Sequence, residues 1–147
     1  MAPPAMQTAD DGALDAERRA VAAMKKVALM VLGTAMQTYG EKLADEQEVL
    51  LAAADITIDT FASESALLRA TQSDGALHQA AARVYVNDAA GRIEASAKTA
   101  LAAMAEGDTL RTLLAALRRL LKVTPINTVV LRRQLADATV ERRTYLF

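Results

Sequence analysis

Four groups of side chains in this 147-residue sequence have types and spacings that could carry chemistry. Glu41, Asp45, Glu46 and Glu48 form an acidic cluster, and spacings of three and four residues within it let pairs of carboxylates share a helix face. A divalent metal or an acid–base pair needs such pairs, but zinc and di-iron sites add His ligands or a matching carboxylate pair on a facing helix. The chain has one His, His78, and no Cys, so nothing completes a site. The cluster reads as the solvated start of a helix, where each carboxylate gains roughly 0.3–1 kcal/mol from the helix dipole. His78, with Ser73, Asp74 and Gln79 around it, reads as a surface residue near another helix start. Asp55, Asp59 and Glu64 interrupt an apolar run. Glu64 falls on the apolar stripe, with Ser63 and Ser65 beside it and Arg69 five residues on. A buried carboxylate must be paired or neutralised, which makes Glu64 and Arg69 candidates for a buried polar pair, a pocket carboxylate being the alternative.

The fourth group is basic. Arg111, Arg118, Arg119, Lys122, Arg132, Arg133, Arg142 and Arg143 are opposed from residue 111 onward only by Asp137 and Glu141, eight bases against two acids, a balance of +6. Through residue 60, ten acids oppose five bases, a balance of −5. The tail is the candidate interaction surface, suited to an anionic membrane or an acidic partner. Alternatively it is a solvated face that the acidic front half neutralises. Nucleic acid does not fit, since the pI is about 5.8 and aromatics for base stacking are 3% of residues. No Gly-rich phosphate loop is present. The residues themselves assign no catalytic, cofactor-binding or metal-binding position.

The elements that position these groups are helices. Hydrophobic residues make up 52% with few aromatics, so the core is built from Leu, Val, Ile, Met and Ala, and scarce Gly and Pro sit mostly at element ends. Residues 1–13 lack the basic start and apolar core of a secretory signal and read as a disordered lead-in or linker remnant. Residues 14–147 read as one domain. The uncharged run from Val27 to Met36 is shorter than the roughly 20 residues of a membrane span and reads as a buried helix segment. Periodicity predicts helices over Leu14–Tyr39, over Glu41–Gln72 and from about Ala76 to Met104. Gly33 is an interior cost, Gly91 a place to bend, and Ser73 an N-cap candidate. The second helix is apolar on a wide arc, which predicts a central position. Leu110, Leu113, Leu114, Leu117, Leu120 and Leu121 then trace a single apolar face, with Asp108 as its cap. Thr124 and Pro125 mark the start of a fifth helix, as N-cap and first position. Five helices with short connections make an all-α, up-and-down bundle.

Several ordered strings carry a resemblance. The run AMKKVALMVLGTAMQTYG from Ala23 to Gly40 closely resembles the opening of the C-terminal extension of very-long-chain-type acyl-CoA dehydrogenases. EQEVLL from Glu46 to Leu51 and ADITIDTFASESALLR from Ala54 to Arg69 are similar to its second helix. GDTLR from Gly107, LRRLLK from Leu117 and TPIN from Thr124 are similar to its last two helices. The ending Tyr145-Leu146-Phe147 stands where a Tyr-Pro-Phe type would be usual. The resemblance implies a parent enzyme of fatty-acid β-oxidation that binds FAD and oxidises acyl-CoA thioesters, a Glu removing the α proton while a hydride passes to the flavin. It places those sites in a preceding catalytic region, so Glu64 takes no such role and no flavin or CoA ligand carries over. It implies a structural and interaction domain that packs against the parent's catalytic region or its dimer mate, in mitochondrial members also with membrane attachment. The parent would be cytoplasmic in a bacterium, or else mitochondrial. Exposed apolar area on the first or second helix is the expected mark of docking. A peripheral membrane-surface module and a free-standing adaptor are the alternatives.

Overall fold

A computed structural model describes residues 12–73 and 75–147. Among these residues there are five α-helices and no strand: α1 (Asp15–Tyr39), α2 (Gln47–Gln72), α3 (Ala76–Met104), α4 (Gly107–Leu120) and α5 (Thr128–Arg142), with a 3-10 segment at Gly40–Asp45. The architecture is an all-α bundle. Residues 1–11 and Asp74 lie outside the described residues. Gly12 and Ala13 do not trail from the fold: the Asp15 N–H donates to the Gly12 carbonyl, and Arg83 of α3 donates to the Ala13 carbonyl at 2.6 Å.

The three long helices form the core. Met24, Val27, Val31 and Ala35 of α1 recur at three- and four-residue spacing and are buried against Val49, Ile56 and Leu67 of α2 and Ala89, Ile93, Ala97 and Leu101 of α3. Ala supplies many of these positions, which lets the helix axes approach and explains how so few aromatics suffice. α1, α2 and α3 pack on one another and α3 also packs on α4 and α5, so the central helix is α3 and not, as the sequence predicts, the second. α4 lays its Leu face on the core, with Leu117 fully buried and Leu110, Leu113, Leu114 and Leu120 partly so. α5 rests on α3 alone and buries no residue completely.

Four boundaries differ from the sequence expectation. The second helix does not begin at Glu41. Gly40 ends α1 at φ +54°, a backbone region that favours glycine, and a 3-10 segment follows before Glu46 caps α2. Glu41 therefore sits in the 3-10 segment, and only Glu48 lies in the first turn of α2. Ser73 closes α2 and does not cap α3, whose N-cap is Gly75. The fifth helix begins at Thr128 and not at Thr124–Pro125, because Asn127 is the cap: its side chain accepts from the Val130 N–H at 3.3 Å. The intervening strand of chain is pinned to α3 through the Ile126 N–H, which donates to Asn87 at 3.1 Å. Asp108, expected as the cap of α4, lies inside its first turn, and Glu106 holds the N-cap position. α3 passes through Gly91 without interruption.

α1 with the 3-10 segment after it is long and apolar enough to cross a membrane by length and composition, a longer window than Val27–Met36 alone. Its Met24, Val27 and Val31 stripe is nonetheless committed to the bundle core.

Candidate interaction surface

Ion pairs tie the helices together in fixed register. Lys25 of α1 donates to Glu64 of α2 at 2.6 Å. Arg92 of α3 donates to both oxygens of Asp59 on α2, at 3.0 and 2.8 Å, and the same bond raises the Arg92 pKa above its ordinary value. Arg83 of α3 stands 3.7 Å from the buried Glu17 of α1, and Arg132 of α5 pairs with Asp88 of α3. Each of these element pairs thus has a polar anchor beside its apolar contact, and the α1–α3 pair a second, Tyr39 donating to the Ala103 carbonyl at 3.4 Å.

The Glu64–Arg69 pair expected from the sequence does not form. Glu64 is half-exposed and bonded to Lys25, while Arg69 is exposed. The inward position is taken by Ser63, one residue earlier, which is fully buried. Arg69 instead lines a small cavity of about 200 Å³ with His78, Tyr85, Tyr145 and Phe147. There the His78 and Phe147 ring centroids lie 4.5 Å apart. His78 therefore seats the C-terminus on α3, a role with no sequence signal.

The basic residues do not converge on one face. Arg111, Arg118 and Arg119 belong to α4 and Arg132, Arg133 and Arg142 to α5, and these two helices do not pack on each other. Arg111 pairs with Asp108 at 3.0 Å, and Arg132 is held by Asp88. Lys122 lines a cleft of about 490 Å³ with Arg19, Glu17 and Arg83. Arg118, Arg119, Arg133, Arg142 and Arg143 are exposed and form no ion pair among the described residues. In the front half Asp15, Glu17 and Asp59 pair with Arg18, Arg83 and Arg92, none of which belongs to the tail.

Apolar side chains mark a different surface. Leu29 and Met36 of α1 and Leu51, Ile58, Phe61 and Leu68 of α2 are 54 to 73% exposed. The Lys25–Glu64 bond sets α1 and α2 side by side, and Leu68 meets Ala22 and Lys25 in one shallow groove. Leu29, one turn after Lys25, is thereby level with Phe61, one turn before Glu64. The α2 members recur at spacings of seven and ten residues, on the side opposite Val49, Ile56 and Leu67.

No acid–base or nucleophilic constellation accompanies this surface, and among the described residues no group of three His, Cys, Asp or Glu side chains converges. The N-termini of α1, α2 and α4 carry Asp15 and Glu17, Glu46 and Glu48, and Glu106 and Asp108, carboxylates that repel phosphate, while those of α3 and α5 have no acid in the first turn.

Residues 23–119 match the family described as "Acyl-CoA dehydrogenase, C-terminal domain". The chain belongs to that family. A probable acyl-CoA dehydrogenase of Bacillus subtilis is 41% identical over 91% of this chain. A crystal structure of an acyl-CoA dehydrogenase complexed with FAD, from Bacillus anthracis, superimposes on 91% of this chain at a TM-score of 0.88 and 36% identity. In both comparisons this chain spans 24% of the relative's length.

Proposed function

We propose that this chain is the C-terminal structural and interaction domain of an FAD-dependent acyl-CoA dehydrogenase of fatty-acid oxidation. It packs on the catalytic region of its parent or on the dimer mate, and it does not catalyse by itself. One observation carries the reading: a domain of this family spans a quarter of each relative, and its described residues bring no three His, Cys, Asp or Glu side chains together. FAD and acyl-CoA chemistry then belong to the remaining three quarters. The domain's own residues contribute a bundle locked by the Asp59–Arg92 and Glu17–Arg83 pairs. The bacterial relatives support a cytoplasmic parent over a mitochondrial one.

The upstream reading frame tests this directly. A catalytic region encoded in frame before residue 1, yielding a yellow full-length protein that oxidises acyl-CoA, is the expected result. A frame closed immediately upstream, with this chain found alone in cells, contradicts it and favours a free-standing adaptor.

A further inference from the structure

α2 is apolar on two opposite faces. One face packs on α1 and α3, while the other carries Leu51, Ile58, Phe61 and Leu68 into solvent. Around these four the outer positions include Gln47, Ala54, Ser65 and Gln72, and the exposed Asp55 and Arg69 give the strip a charged rim. An exposed apolar patch with a polar rim marks an interface. Leu29 and Met36 extend it across the seam onto α1. We infer that this α1–α2 outer face is where the domain docks on the catalytic region of its own polypeptide, an inference that rests on the reading given above.

Size and chain length select that occupant over a second copy of the bundle. Six such side chains, each more than half exposed, offer on the order of 500 Å² per side. Roughly 1,000 Å² in total falls within the range of interfaces between domains of one chain, about 600–1,500 Å², and below the 2,000 Å² or more of an obligate homodimer. Covalent attachment allows a modest patch to suffice, because the tether holds the effective concentration near the millimolar range. The relatives carry three quarters of their length beyond the matched domain, ample chain to present the other surface. A membrane-binding face would be rimmed by free Lys and Arg. Here Lys25 is bound to Glu64, and the exposed Lys26 and Arg69 beside the patch are matched by the exposed acids Glu48 and Asp55, a mixed rim and not a basic one.

Residue-resolved radical footprinting of the full-length holoenzyme tests the assignment, read at Met36 and Phe61 against the isolated domain. Labelling at least tenfold slower in the holoenzyme, independent of protein concentration, is expected. The doubly substituted Ile58→Asp/Phe61→Asp chain should melt as an isolated domain at the unaltered temperature. In the full-length protein it should be released by limited proteolysis at least tenfold faster. Equal labelling in both forms overturns the inference. So does protection that vanishes on dilution, which indicates a second copy, or that arises only with anionic vesicles. If the holoenzyme is yellow and active while Met36 and Phe61 label freely, the docking face alone fails and the parent assignment stands.

Discussion

Ser63 lies fully inside the α2 face of the core, and its hydroxyl has no hydrogen-bond partner among the described residues. A buried hydroxyl left unsatisfied costs about 1–3 kcal/mol, so Ser63→Ala is expected to raise unfolding stability by about 1 kcal/mol in urea titrations. A loss of that size would mean that the hydroxyl is bonded after all. Asp59 presents the opposite case. It is mostly buried and accepts a two-pronged bond from Arg92, so Asp59→Ala should cost about 1–2 kcal/mol. Glu64→Ala, which removes the more exposed partner of Lys25, should cost less than about 1 kcal/mol. Equal losses from the two substitutions would contradict the burial order. The sequence misplaced this polarity because the α2 stripe is rich in Thr, Ser and Ala. Such neutral residues let its phase slip by one position, from Ser63 to Glu64.

At the scale of elements, α1 and α4 were legible because Val, Met and Leu recur with a strong period, and α3 because an Ala-rich run free of Pro is bounded by Gly75 and Gly107. The start of α5 was not. Thr124–Pro125 has the local chemistry of a helix start, but Asn87 of α3 holds the Ile126 N–H and leaves Asn127 to cap, a tertiary contact that local pattern does not encode. The acidic cluster misled for a related reason, since carboxylates suit a 3-10 start and an α start alike. Gly91 offers a test at this scale. It lies within α3, exposed, and a Cβ added there meets nothing within 4 Å. Gly91→Ala should therefore stabilise the bundle by about 0.5–1 kcal/mol, read as a higher midpoint in thermal melts. A lower midpoint would show that α3 needs flexibility at that point.

For the whole molecule, the all-α bundle follows from composition, period and spacing, and the ordered strings from Ala23 to Arg69 led to the family. Two candidate surfaces were read from the sequence, an apolar area on the first or second helix and the basic tail. The net charge of the tail drew attention to Arg111–Arg143, whereas folding scatters those side chains over helices that do not touch and leaves the apolar row of α1 and α2 uncovered. Exposure depends on what covers a helix, and periodicity records only that α2 is apolar on a wide arc. The central claim is that the chain folds by itself yet works only as part of a flavoenzyme. Purified residues 12–147, supplied with FAD and acyl-CoA, test it most directly by absorbance and circular dichroism. The account predicts a cooperative helical melt, no bound flavin and no acyl-CoA oxidation. A yellow protein that oxidises acyl-CoA would contradict it.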